Sequence, residues 1–259
     1  VPPGFTLSSD SYNEWLSTNQ LENKVQDALQ NPNPEQAYQR IKQHFTITPL
    51  PYAWIKQLEQ EFSRLEKPLI VRSSGNQEDG NEHSYAGQFE SPPGITTLAE
   101  LSLGIREAYA SLFTPRSIEY RRAKGIQKEE SIAVVIQTMI DATASGVAYS
   151  PSPHKLEEIL VESAWGLCNT VVDGRACDIY RVTDIVRGNI IQDVSQKKRE
   201  MIVFDRKKKR VVLKKVPKKM RKKPSLLPEQ VIEVAKAAKT IERSYSIPMD
   251  IEFTYHDRT

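Results

Sequence analysis

Apolar residues recur three or four apart in the first half of the chain and on a period near two in the second. Tyr12, Trp15 and Leu16 mark a helix that Ser8 to Asp10 can cap. A second helix is expected over "NPNPEQAYQRIKQHF", restarting after two prolines. Tyr52, Ile55, Leu58, Phe62 and Leu65 give a third, amphipathic helix that Lys67–Pro68 ends. "LIVR" then reads as a short buried strand, followed by a polar stretch to Gln88 and a Pro-Pro-Gly turn. Leu101, Ile105, Ala108, Tyr109 and Leu112 share one helical face between Leu98 and Tyr120. From there the segments are short, β-branched and separated by turn residues: "SIAVVIQTMI", "SGVAYS", "EILVESA", "CDIYRVT" and "DIVRGNII". "MIVFDRKKKRVVLKKV" predicts a hairpin with a basic tip. Pro228 opens a last helix carrying Val231, Ile232, Ala235, Ala238 and Ile241, and "MDIEFTY" closes as a strand. Helices first and a sheet with few crossover helices second predict an α+β fold, and no internal repeat is visible.

The 259 residues suffice for one large or two small domains with a proper core. No apolar run approaches the ~20 residues that span a bilayer, and "VPPGFTLSSD" lacks the basic and apolar regions of a signal peptide. The absence of an initiator methionine reads as a processed or trimmed chain. Cys168 and Cys177 make neither a zinc spacing nor a disulfide framework, so reduced thiols in a cytoplasmic protein are expected. The net charge of +3 conceals an asymmetry. Residues 197–223 hold 15 Lys/Arg and two acids, a local +13, so the rest of the chain carries −10.

Candidate chemistry starts at "VRSSGNQEDGNEHSYAGQ", residues 71–88. A strand ending in Arg72, Ser73 and Ser74 presents a guanidinium fork, hydroxyls and backbone N–H groups, a set suited to phosphate oxygens. Read alone, a surface loop explains it better. Asp250 and Glu252 alternate onto one strand face, where they either share a Mg²⁺ or face solvent. Gln137 and Glu162 lie within apolar strands and need partners if buried, supplied by a ligand or by the protein. The basic hairpin has little aromatic material for base stacking, so a solvated tip is the expectation, with a polyanion or acidic partner second. His44, His83, His154 and His256 form no catalytic or metal spacing.

Taken in order, these stretches resemble the N-terminal nucleotide-binding domain of phosphoenolpyruvate synthase and pyruvate phosphate dikinase, a domain shared with rifampin phosphotransferases. The matching segments are "VPPGF", "VRSSGNQED", "SYAGQ", "ASLFTPRSIEYR", "VVIQTMI", "SGVAYS", "AWGL", "VVDG" and "IERSYSIPMDIEF", spanning essentially the whole chain. The resemblance implies an ATP-grasp-like module, helix-rich over about 1–125 and sheet-rich over 126–259, with family segments expected beyond both ends. It implies that Arg72 contacts ATP phosphates with Ser73 beside it, that Ala86, Gly87 and Gln88 cover them, and that Gln137 lies at the nucleotide. Glu162 joins that set. Asp250 and Glu252 would hold Mg²⁺, and Lys197 matches the lysine of a "G-S-K" segment. The implied reaction moves a phosphoryl group from ATP to a histidine on a separate swivelling domain, with the acceptor bound by a further domain. Two departures stand out: the family's "G-L-G-E" reads Gly166, Leu167, Cys168 and Asn169 here, and Ser152 replaces an acidic or amide residue. They motivate a second reading, a degenerate, non-catalytic module. An antibiotic phosphotransferase, and polyanion binding through the basic segment, stay open as well; no membrane is expected.

Overall fold

The computed structural model describes residues 1–75, 93–126, 131–153, 155 and 157–256. The chain divides into two compact units, Val1–Met139 and Ile140–Thr259. Its helices and antiparallel sheets make an α+β fold, as the ATP-grasp-like reading requires.

The first unit runs β1 (Gly4–Leu7), α1 (Ser9–Thr18), α2 (Leu21–Leu29), α3 (Pro34–Ile47), α4 (Tyr52–Arg64), β2 (Leu69–Gly75) and β3 (Pro93–Ile95). It continues with α5 (Leu98–Ala110), a 3-10 turn (Ser111–Phe113), α6 (Pro115–Lys124) and β4 (Ile132–Thr138). Local chemistry sets most boundaries. The Asn33 side chain accepts from the Gln36 N–H, and Pro34 supplies a preset φ at the first position of α3. Thr97 and Glu100 form a reciprocal capping box on α5. The long helical run expected from Leu98 to Tyr120 breaks because Thr114 caps a new helix that Pro115 opens. Gly125, in the left-handed region at φ 65°, ends it. Of the expected Pro-Pro-Gly turn, Pro93 and Gly94 instead open β3, which pairs with β2 across an irregular register.

The sheet order is β1-β4-β2-β3, with helices on one face. Leu69, Val71, Ile132, Val134 and Ile136 point into that core, where they meet Trp15, Phe45, Leu101, Ile105 and Tyr109. Trp15 stands edge-on to Phe45 at 5.1 Å, and its indole N–H donates to the Pro49 carbonyl at 3.0 Å.

The second unit contains β5 (Ala144–Ser150), β6 (Ile159–Trp165), α7 (Asn169–Val172), β7 (Asp178–Asp184), β8 (Asn189–Ser195), β9 (Glu200–Asp205), β10 (Arg210–Lys215), α8 (Pro228–Tyr245) and β11 (Met249–Tyr255). Five strands form an antiparallel sheet in the order β11-β5-β6-β7-β8. "DIVRGNII" is thus a turn leading into β8, not a strand throughout. Helix α8 lays Val231, Ala235 and Ala238 on Ala144, Ala148, Val161 and Tyr180, covering one face. The predicted basic hairpin forms as β9 and β10, a separate two-stranded sheet. Among the described residues no helix is long and apolar enough to cross a membrane.

Candidate functional site

In the first unit, strand alternation sorts the predicted residues between two faces. Arg72 pairs with Val135 and Ile70 with Gln137, without a register shift between β2 and β4. Arg72 and Gln137 therefore share a face, two residues apart along the ladder and on neighbouring strands. It is the face away from the helical core: Arg72 is exposed and Gln137 half-exposed, whereas Val71, Val134 and Ile136 are buried. Gln137 is thus not the fully buried amide considered from sequence. Ser73 pairs with Val134 and falls on the core side. Ser74, not Ser73, shares the face of Arg72. The alternation in "VRSS" already carries that distinction, because a period of two separates adjacent residues.

Strand β1 completes this open face, a contribution absent from the sequence expectations. Gly4 pairs with Gln137 and Thr6 with Val135. A Cβ on Gly4 would lie 2.2 Å from the Ile136 carbonyl oxygen and 2.8 Å from Gln137 Cγ. Glycine is required there for β1 to approach, and the approach fixes one side of Gln137. Ala86, Gly87 and Gln88 lie outside the described residues.

In the second unit, Glu252, Val147, Glu162 and Ile179 form one straight row across four strands. Asp250 stands in the next row, opposite Tyr149. Asp250, Glu252 and Glu162 thus share the sheet face that α8 leaves uncovered. Asp250 and Glu252 are exposed, and Glu162 is half-exposed, so it is not the buried carboxylate that would demand a cation. Tyr149 records their proximity. Burial raises its phenol pKa above the usual value, and the negative Glu162 and Asp250 add to the rise. A small apolar cluster of Val147, Ala164, Val171 and Cys177, with Cys168 against it, completes the face. The Cys168 thiol donates to the Gly146 carbonyl at 3.2 Å, and burial, then Glu162, pushes the Cys177 thiol up to about 11.

Could this face hold Mg²⁺? Among the described residues no group of three or more His, Cys, Asp or Glu could hold a metal ion by itself. Two carboxylates two apart on one strand supply hard oxygen donors but leave most of an octahedral shell to other ligands. This fits Mg²⁺ arriving with phosphate oxygens and water, its usual mode at nucleotide sites.

The adjacent lysines at 197 and 198 have opposite surroundings. Lys198 is fully buried, with Nζ 2.5 Å from Oδ1 of the equally buried Asp178. Oδ2 of Asp178 accepts from the Ser225 N–H at 2.7 Å and hydroxyl at 2.8 Å, and Ser163 bonds Ser225 at 2.6 Å. Lys197 is exposed. Of the two, only Lys197 is placed to meet a ligand, and the Asp178 pair, which sequence reasoning missed, anchors its neighbour. No local pattern marks Asp178, because its partner lies twenty residues on.

The family model for the pyruvate phosphate dikinase AMP/ATP-binding domain matches residues 1–259. A probable phosphoenolpyruvate synthase of Methanocaldococcus jannaschii is 28% identical over 98% of this chain and 23% of its own length. One from Methanothermobacter thermautotrophicus is 31% identical over 99% of the chain and 40% of its own length. The prodigiosin synthesizing transferase PigC of Serratia marcescens is 31% identical over 99% of the chain and 28% of its own length. The chain spans well under half the length of these relatives. It belongs to the pyruvate phosphate dikinase AMP/ATP-binding domain family.

Proposed function

We propose that this chain binds ATP with Mg²⁺ and catalyses the ATP-side half of a phosphoryl transfer, passing the group to a histidine on a separate swivelling domain. The observation that carries the reading is the placing of Arg72 and Gln137 on one open sheet face that the helical core does not use. A guanidinium there neutralises phosphate charge and reads it through paired N–H groups, while a side-chain amide bonds a base, a sugar or a phosphate oxygen. Ser74 shares that face; the Ala86–Gly87–Gln88 loop covers the phosphates in this reading. Asp250 and Glu252 would hold Mg²⁺, which supplies charge neutralisation and a template for the triphosphate oxygens. Glu162 extends the acidic row, and Lys197 offers a further cation to phosphate.

Catalysis by such a set is positioning and charge neutralisation, with no covalent step on this chain's own residues. The names of the phosphoenolpyruvate synthase relatives support an enzyme of this kind, and the longer relatives leave room for histidine-bearing and acceptor-binding domains. Titration calorimetry with ATP, run with Mg²⁺ and then with chelator, tests the reading. Mg-dependent ATP binding that Asp250→Asn with Glu252→Gln abolishes is expected. ATP binding equally tight without Mg²⁺ would contradict the metal assignment.

One observation favours a second reading, a nucleotide-binding module without turnover. Cys168 and Asn169 stand where the motif of the resembled family has glycine and a carboxylate, and Cys168 packs beside the face that carries Glu162. ATP binding without phosphorylation of any histidine domain supplied in trans would favour it.

A further inference from the structure

The basic hairpin takes no part in nucleotide binding as proposed. Its strand β9 is tied to the body: the Leu167 N–H donates to the Ile202 carbonyl at 2.8 Å, and the Ile202 N–H donates to Thr170 Oγ1 at 3.0 Å. Strand β10 is the outer member, and among the described residues no other strand pairs with it. All of β10 except Val212 is exposed. An edge of this kind leaves backbone N–H and C=O groups open to a further strand.

The side chains limit what could pair there. Arg210, Lys214 and Lys215 are exposed on the strand, and Arg206, Lys207 and Lys208 at the turn. Among the described residues carboxylates answer few of them: Asp141 meets Arg206 at 3.1 Å and Asp205 meets Lys214 at 3.4 Å. Asp205 also accepts from the Lys207 and Lys208 N–H groups at 3.0 and 3.1 Å, which shapes the turn that holds the cations together. A second copy of β10 would meet like charge, so self-pairing is disfavoured. Val211 and Leu213 point to one side of the ribbon and stay 38% and 49% exposed. They are aliphatic, giving nucleic-acid bases nothing to stack on but giving apolar side chains a contact.

We infer that the open edge of β10 is a docking site for an extended acidic polypeptide segment. That segment adds as a third strand to the β9–β10 sheet. Its carboxylates lie against Arg210 and Lys214, which share one side of the ribbon, and its apolar residues against Val211 and Leu213 on the other. Main-chain hydrogen bonds supply the geometry and charge complementarity supplies the selection.

The test uses the whole chain and a fluorescein-labelled peptide of about ten residues alternating Glu with Val, roughly one strand's length in a docking mode of this type. Anisotropy should report binding that weakens about tenfold as salt screens the contacts, and no binding to the matching Lys-Val peptide. Arg210→Glu with Lys214→Glu should abolish it. Val211→Lys with Leu213→Lys should weaken it although positive charge is added. Amide exchange on the unaltered chain should show β10 protected by the peptide, a readout that needs no variant. No binding at low salt, or binding without protection of β10, would overturn the inference. Tighter binding to a DNA duplex than to the peptide, strengthened by the Lys substitutions, would overturn it in favour of nucleic acid.

Discussion

Lys198 and Asp178 form an ion pair 2.5 Å long from which solvent is wholly excluded, and Asp178 also accepts two hydrogen bonds from Ser225. The pair joins β7 to the stretch before β9 and to the segment that leads into α8. Charges this deep are tolerated only while every partner stays in place.

Asp178→Ala leaves the Lys198 ammonium buried without its counter-ion. The second unit should lose about 3–5 kcal/mol, read by urea denaturation. Replacing both partners, Asp178→Leu with Lys198→Met, should cost clearly less, because no charge is then stranded. Equal losses for the two variants would contradict this account of the pair.

Gly4→Ala tests the close approach of β1 to β4. The new methyl meets the Ile136 carbonyl 2.2 Å away, so the strand must shift. A loss of about 1–3 kcal/mol is expected, in the range of overpacked sites, and should appear as a lowered thermal midpoint. If Gln137 belongs to the nucleotide site, ATP affinity should fall in the same variant.

The Cys177 thiol is held protonated by burial and by the neighbouring Glu162 and Asp178. In a Cys168→Ser background its alkylation should follow a midpoint near 11, not the ordinary 9.0. The folded state binds this proton more tightly than the unfolded state. The stabilisation is therefore complete below the ordinary thiol range and is lost as pH rises toward 11. A midpoint near 9.0 would place Cys177 in solvent.

Tyr149 offers a spectroscopic view of the acidic face. Burial, Glu162 and Asp250 all raise its phenol pKa. Asp250→Asn or Glu162→Gln should move phenolate formation to lower pH, followed by ultraviolet absorbance, with Glu162 the larger effect. The neutral phenol is favoured in the folded state, so its contribution to stability fades only at strongly alkaline pH. An unchanged titration in both variants would separate Tyr149 from the two carboxylates.

Much of the fold was legible in the sequence because its signals are local. Asn33–Pro34, Pro228 and the alternation of "MDIEFTY" each state their own element within a few residues. The first strand, Gly4–Leu7, was not legible, since its reason to exist is pairing with β4 more than a hundred residues on. Helix α2 was missed for another reason: Gln20, in the left-handed region at φ 53°, separates it from α1 without a side-chain cap. The placing of Asp250 and Glu252 on one face followed directly from strand period. That Glu162 stands in the same row depends on the register of β11, β5 and β6, which only the folded chain reveals. The Asp178–Lys198 pair was invisible for the same reason, and the adjacent lysines could not be told apart until one was found buried.

The most direct test of the nucleotide reading is calorimetric titration of Mg-ATP into the Arg72→Ala chain beside the unaltered one. Removing one charge-assisted phosphate contact should weaken binding by about 1.5–3 kcal/mol, roughly ten- to 150-fold. Mg-ATP binding of equal affinity in both proteins would contradict the assignment of this sheet face to the nucleotide.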